Sequence, residues 1–484
     1  MTDLRAPFRD PADYAPPERY RLTPFRFHAM GSQYLLMNEV GEYLRLPRTE
    51  LEALVNHALP TTSEAYRRLK AKHFLFDEES RVALELLSLK FRTRAERVAE
   101  FTALHMFVVT LRCDHSCQYC QVSRQSEDRS GFDMTRAHAD IALAHVFRSP
   151  AKYLKIEFQG GEPLLNFGLV RYVVETATEL NREHKRRLSF VIATNLSCLS
   201  DEILRFCKAY DVQLSTSLDG PKDLHEGQRP LRGGSSYDRT IQGIDRARAI
   251  LGHQSVSALM TTTPATLARV EEVVDEYVSL GFDSIFLRSL SPYGFAARSL
   301  IRRYGVDDWI AFYTRGLRHI LALNARGVAI REEFASILLR NLFSPTRSGY
   351  VDLQSPAGIG IGGVVYNYDG AVFASDEGRM LAEMGDLSLR LGHLDSESYK
   401  DIMTGAALLV PLEASILESA PRCSDCAFAP ACGADPAYHR ATQRDWLGHK
   451  AFSDFCKKQM AVCELLIELM DSDEGTRETL LGWT

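Results

Sequence analysis

The sequence predicts an α/β fold: six βαβ units that fit a partial or complete barrel, preceded by a winged-helix-like module and followed by a cysteine-rich extension. Three observations carry this expectation. Apolar strands at Met106–Leu111, Leu154–Phe158, Ser189–Ala193, Val212–Ser217, Val256–Met260 and Ser284–Leu287 alternate with amphipathic stretches, the pattern of a parallel sheet with crossover helices. The cysteines gather at 113–120 and 423–432, with Cys198, Cys207, Cys456 and Cys463 standing singly, which argues for metal rather than a disulfide scaffold. The length of 484 residues exceeds one ordinary domain, so smaller units flank the large one.

Composition narrows the class. Apolar content of 45% and charged content of 25% are those of a globular enzyme. A net charge of −6 offers no basic face, so no nucleic-acid partner is expected. No apolar run approaches the ~18–20 residues of a membrane span. Met1–Pro17 has no apolar core of a secretory signal. A cytoplasmic protein that acts without a membrane is expected.

In chain order, residues 1–20 read as an extended arm, and Tyr20 to about Glu79 as a small module. Short strands are expected at Leu22–Ala29, Gln33–Met37 and Glu42–Leu46. A helix over Thr49–His57 places Leu51, Leu54 and Val55 on one face, and a second, capped by Thr62 or Ser63, runs to Lys72. Phe74–Phe76 closes the unit. Ala83–Phe101 reads as a linking helix, completing an N-terminal region 1–101. Beyond it, helices are expected at Met134–Phe147, Gly168–Asn181, Asp201–Tyr210, Tyr237–Leu251 and Leu267–Leu280.

The first strand runs into Cys113, Cys117 and Cys120, with Tyr119 before the last. Three thiolates on one loop can hold three irons of a cubane [4Fe–4S] cluster and leave the fourth without a protein ligand. An open site marks chemistry, because structural sites are normally closed. A zinc knuckle short of a ligand and three unrelated cysteines are the alternatives. Strand ends in α/β barrels carry reactive groups, and further candidates stand there. Gly160-Gly161-Glu162-Pro163 permits close backbone approach and offers a carboxylate to a cationic amine. Ser217 with Arg229 suits a ribose and a carboxylate.

These motifs, from about Thr102 to Arg298, resemble the radical S-adenosylmethionine (SAM) superfamily. The resemblance implies a partial (β/α)6 radical SAM barrel, bounded at 102–326. Cys113, Cys117 and Cys120 would ligate a [4Fe–4S] cluster whose open iron is chelated by SAM. Tyr119 would contact the adenine side, Gly161 and Glu162 the methionine amine, Ser217 the ribose and Arg229 the carboxylate. Leu287 would add an apolar adenine contact. Reductive cleavage of SAM would then give a 5′-deoxyadenosyl radical that abstracts hydrogen from carbon, with electrons from a donor such as flavodoxin or ferredoxin.

In the last third, Val364–Phe373 is a hairpin signal with Asp369-Gly370 at the turn. Cys423, Cys426 and Cys432, with Cys456 downstream, offer four thiolates, a closed site for zinc or a second [4Fe–4S] cluster alike. The region 327–484 resembles the SPASM-like extension of peptide-modifying radical SAM enzymes. Ser375 and Pro436 stand where that pattern has cysteines, which implies one auxiliary [4Fe–4S] cluster, held by Cys423, Cys426, Cys432 and Cys456, with Cys463 as a rival ligand. In formylglycine-forming relatives the position of Asp376 holds the catalytic base, and Arg288 is a further candidate for substrate contact.

Across nearly its whole length the chain resembles the B-type maturases of His-Xaa-Ser peptide systems, through Pro24–Phe27, Leu75–Phe76, Thr110–Gln125 and Tyr366–Asp386. That implies a ribosomally made precursor peptide as substrate, a companion radical SAM enzyme, leader-peptide capture by the N-terminal module, and an oxidative side-chain cross-link as product. The rivals are formylglycine formation and a zinc-stabilised binding scaffold without redox chemistry.

Overall fold

A computed structural model describes residues 19–78, 82–294 and 304–484. The expected arm over 1–20 therefore lies almost wholly outside the described residues, as does the end of the N-terminal module at Glu79. Within that module, Phe25–Met30, Gln33–Asn38 and Tyr43–Pro47 form an antiparallel meander, followed by helices Arg48–Val55 and Glu64–Ala71. Ser63 caps the second helix, its Oγ accepting from the Tyr66 amide at 3.1 Å and satisfying one otherwise orphaned donor. Leu75–Phe76 returns to pair with Arg21–Leu22. Leu51 and Leu54 enter a core with Leu36, Leu44, Tyr66 and Leu69, whereas Val55, expected beside them, is solvent-exposed at the helix's last residue.

The linking helix, Val82–Ala99, leads into an eight-stranded mixed sheet. Its parallel part runs, in spatial order, Val256–Leu259, Val212–Ser217, Arg187–Thr194, Tyr153–Gly160, Leu104–Thr110 and Gly363–Tyr366. Alternating burial along Arg187–Thr194 and Val212–Ser217 puts one face onto the helical layer and the other toward a central chamber. Helices Arg136–Arg148, Phe167–His184, Asp201–Tyr210 and Ser236–Leu251 cover the outside, their buried aliphatic side chains merging with the sheet in one core.

The sixth barrel strand departs from expectation. Ser284–Ile285 pairs with Arg331–Glu332 in a separate two-stranded sheet and not with Val256–Leu259. Its link to the fifth unit is a single bond from the Thr262 amide to the Arg288 carbonyl at 2.9 Å. The reason is a long-range contact: Leu287 N–H is taken by the buried Glu332 carboxylate at 3.0 Å, which also accepts from Tyr313 Oη and the Ala335 amide. The sheet grows at its opposite edge, where Gly363–Tyr366 lies parallel to the first barrel strand and turns at Asp369-Gly370 into Ala371–Phe373. The C-terminal hairpin is thus part of the main sheet, and carries Ser375 and Asp376 to the chamber rim.

The N-terminal module docks on the far end of the chain. Arg26 Nε donates to the Ser424 carbonyl, His28 lies 2.8 Å from Glu464, and Arg45 pairs with Asp471 at 3.1 Å. No helix among the described residues is long and apolar enough to cross a membrane.

Candidate functional site

Cys113, Cys117 and Cys120 line one chamber of about 410 Å³ at the C-terminal ends of the parallel strands. The loop carrying them is held at both ends. The Ser116 amide donates to the Pro230 carbonyl at 2.9 Å, and the Cys120 amide to the Cys117 carbonyl at 3.3 Å. At its base, Asp114 accepts from His115 Nδ1 at 2.9 Å, Asn195 Nδ2 at 2.8 Å and Ser197 Oγ. These hydrogen bonds overcome burial and hold the Asp114 carboxyl well below the usual range.

Gly160 and Gly161 line the same wall. The Gly161 amide donates to the Thr110 carbonyl at 2.9 Å and the Glu162 amide to Arg112 at 2.7 Å, zipping this turn against the root of the cysteine loop. Side chains have no room there. A Cβ on Gly160, whose φ is +146°, would sit 1.9 Å from the Thr110 oxygen, and one on Gly161 2.2 Å from the Arg112 oxygen.

Ser217 and Arg229 also face the chamber, organised by a residue the sequence reading assigned no role. Asp219 is fully buried. It accepts from Tyr119 Oη, from Arg229 Nε at 2.9 Å and from the Thr261 amide at 3.1 Å. The guanidinium is thereby laid over the Tyr119 ring, 5.4 Å from its centroid, with Nη1 3.9 Å from Cys117 Sγ. The sequence signal was available in Ser217-Leu218-Asp219-Gly220, but an acid before a glycine reads equally well as a turn.

Two residues expected to contact the cofactor have buried side chains. Glu162 is fully buried and does not line the chamber. Its carboxylate accepts from the Leu164 amide at 3.0 Å, Thr194 Oγ1 at 2.7 Å and the Asn195 amide at 2.8 Å. It pins the Gly-Gly turn to the third strand. Leu287 likewise turns into the core, close enough to Gly316 that a Cβ there would lie 2.7 Å from its Cδ1. Leu259, Met260 and Thr261 provide the chamber wall instead.

The opposite rim is the helix Asp376–Glu383, capped by Ser375 Oγ accepting from the Gly378 amide at 3.1 Å. Asp376 and Glu377 both line the chamber, with Arg288 and Asp352. Buried Arg379 ties this helix to the cysteine loop, donating to Asp376 Oδ1 at 3.3 Å and to the Val122 carbonyl at 3.4 Å. Burial, then the neighbouring acids Asp352, Asp376 and Asp435, push the Glu377 carboxyl up to about 8.

The donor set fits an iron–sulfur cluster. Three free thiols converge on a chamber whose glycine wall admits close approach and whose volume suits a nucleoside-sized ligand. Burial pushes the Cys113 and Cys117 thiols up, the latter to about 11. A cationic metal centre supplies the charge that holds them as thiolates. Separately, Cys423, Cys426, Cys432 and Cys456 line a cavity of about 510 Å³ beside Arg422, Lys450 and Lys457. Cys463 is not part of that lining and lies buried within helix Asp454–Met470. Cys207 is also buried in a helix, and Cys198 sits 4.0 Å from Asp114.

Residues 107–277, which span five barrel strands and the cysteine loop, match the profile of the Radical SAM superfamily. The chain carries a radical SAM domain. It is 30% identical over 185 residues to an uncharacterized protein of Methanothermobacter thermautotrophicus, covering 37% of this chain and 66% of that one. It is 25% identical over 165 residues to the radical SAM cyclopropyl synthase TigE of Paramaledivibacter caminithermalis, covering 31% and 34%. The chain thus spans between about a third and two thirds of the length of these curated relatives. In fold it is similar to anSMEcpe with bound AdoMet (TM-score 0.60, 17% identity, 76% of this chain and 98% of that one). It is also similar to Streptococcus suis SuiB bound to precursor peptide SuiA (TM-score 0.52, 12% identity, 88% and 97%). Within the radical SAM domain the cysteines, Gly161, Tyr119, Ser217 and Arg229 share one chamber with Asp376 from outside it.

Proposed function

We propose that this chain is a radical SAM maturase that installs an oxidative side-chain cross-link on a ribosomally made His-Xaa-Ser precursor peptide. The observation that carries it is the placement of the carboxylates Asp376 and Glu377 on the chamber wall facing Cys113, Cys117 and Cys120. A [4Fe–4S] cluster on those cysteines, with SAM at its open iron, supplies the one-electron cleavage that begins hydrogen abstraction from carbon. The chain's own residues do the rest. Gly160 and Gly161 present backbone to the methionine end, Ser217 and Arg229 hold the polar groups of SAM, and Tyr119 shields the adenine side. Asp376 takes the proton that the oxidised substrate releases. Cys423, Cys426, Cys432 and Cys456 hold one auxiliary [4Fe–4S] cluster, which matches a donor set of four thiolates in one cavity. The N-terminal module captures the leader peptide, and a flavodoxin- or ferredoxin-type donor reduces the protein. A companion radical SAM enzyme works beside it. Likeness to TigE and to SuiB, whose structure holds its precursor peptide, supports a peptide substrate.

Formylglycine formation is the second reading, favoured by Asp376 in that same position and by the fold likeness to anSMEcpe. Mass spectrometry of a His-Xaa-Ser precursor co-expressed with the enzyme separates them. Loss of two hydrogens with a fragmentation-resistant segment supports the cross-link; a hydrazide-reactive carbonyl sinks it.

A further inference from the structure

Behind the SAM chamber lies a second, inner chamber of about 70 Å³, and beyond it an outer one of about 210 Å³. Neighbouring chambers share walls. Arg288, Tyr350, Asp352 and Glu377 wall both the SAM chamber and the inner one. Ser291, Trp309, Tyr438, Phe455 and Lys458 wall both the inner and outer ones. Thr442 and Asp454 belong to the lining of the outer chamber.

The inner chamber is built for small polar occupants. Tyr293 Oη, Trp309 Nε1 and Gln459 Oε1 belong to residues of its lining that are only 2%, 2% and 3% exposed, and none has a hydrogen-bond partner among the described residues. Leaving such groups unbonded and out of water is unfavourable. Two donors and an acceptor around a polar cavity of this size match ordered water. A second cation is not accommodated, because Lys458 already fills the aromatic cage. Its Nζ lies 5.5 Å from the Trp309 ring, 5.9 Å from Phe334 and 5.7 Å from Phe455, and donates to Ser289 Oγ at 3.1 Å.

We propose that this inner chamber is a water-filled proton path linking the Asp376–Glu377 pair in the SAM chamber to solvent by way of Asp435. It rests on the reading of Asp376 as the base. The substrate's X–H bond breaks with its electron pair left on the substrate, and the proton forms an O–H bond on the Asp376–Glu377 pair. Glu377, the member of the pair that walls both chambers, passes it to water held by Tyr293, Gln459 and Trp309. Asp435, in the same lining, receives it and releases it to water of the adjoining outer chamber. No electron moves in these transfers. Glu377 is faced by the acids Asp352 and Asp435 and by the basic side chains of Arg288 and Lys458, with Tyr293 and Tyr350 in the same lining. Burial and this crowding push Glu377 and Asp435 up, Asp435 to about 7, so both exchange protons near neutrality. Asp435 also caps the helix Pro436–Gln443, its Oδ1 accepting from the Tyr438 amide at 2.8 Å, which Asn would preserve.

The test uses anaerobically reconstituted holoenzyme, wild type against Glu377→Gln and Asp435→Asn. Infrared titration should show protonated-carboxyl intensity near pH 7 that each variant reduces. Peptide modification should fall on the order of ten-fold or more in both, recover with added imidazole or azide as small proton carriers, and leave KM unchanged. In Asp435→Asn, SAM cleavage without peptide should continue at the wild-type rate. Unchanged turnover, a loss that proton carriers do not rescue, or no protonated-carboxyl band overturns the path. If wild type modifies no peptide, the proposed function falls, and the infrared band alone still decides whether these acids hold protons.

Discussion

Asp219 offers the sharpest check on how the SAM wall is held. Its buried carboxylate accepts from Arg229 Nε, Tyr119 Oη and the Thr261 amide. Asp219→Asn keeps the shape, removes the charge and turns an N–H₂ toward at least one donor. Breaking one partner of a buried ion pair costs about 3–5 kcal/mol. Arg229 retains 14% side-chain exposure and a chamber-facing Nη1, which places the cost near the lower bound. At ~2 °C per kcal/mol for a chain this large, the midpoint should fall by about 6 °C. Combining Asp219→Asn with Arg229→Gln should recover part of that loss, a coupling of about 2 kcal/mol by double-mutant cycle. The assay is anaerobic thermal unfolding of the reconstituted protein, paired with SAM binding, which should weaken because Arg229 and Tyr119 lose their common anchor. A cost under about 1 kcal/mol with additive variants would show that Asp219 does not organise this wall.

Three further outcomes follow from other parts of the structure. Gly161→Ala, whose Cβ would lie 2.2 Å from the Arg112 oxygen, should destabilise by about 1–3 kcal/mol and weaken SAM binding in calorimetry more than Gly168→Ala, where nothing lies within 4 Å. Cys456→Ala should remove the auxiliary share of iron, while Cys463→Ala should leave iron content at the wild-type value; the reverse pattern would exchange their roles. Glu377→Gln should unfold at a higher temperature than wild type at pH 9, by a margin that shrinks steadily as pH falls from 8 toward 4.5. The sign comes from a folded-state value near 8 against 4.5 unfolded, so the stability Glu377 contributes is complete below about 4.5 and is lost as pH rises through 8. After solvent screening the difference should be on the order of 1 kcal/mol.

The parallel sheet was legible because five apolar strands alternate with long amphipathic stretches, and the cysteine loop because its spacing sits at a strand end. The sixth strand misled for a physical reason. Ser284–Leu287 has strand composition, but its hydrogen bonds are claimed by Glu332 and Arg331 across a separate pair, and only long-range pairing decides that. The parallel addition of Gly363–Tyr366 beside Leu104–Phe107 bridges more than 250 residues and left no local mark. Glu162 shows the limit of motif reading. A carboxylate in a Gly-Gly-Glu-Pro turn suits an amine or three backbone and hydroxyl donors equally, and burial alone separates the two. The inner chamber was invisible for the same reason, since Tyr293, Trp309, Asp352, Asp435 and Gln459 come from distant segments.

The most direct test is chromatographic detection of 5′-deoxyadenosine and methionine from dithionite-reduced, iron-reconstituted protein given SAM. Wild type should hold about eight irons, four per cubane, and form both products. The Cys113→Ala/Cys117→Ala/Cys120→Ala variant should keep the iron bound near Cys423–Cys456 and form neither. Equal SAM cleavage by the triple variant, or a wild type that binds zinc and no iron, would contradict a radical SAM centre on that loop.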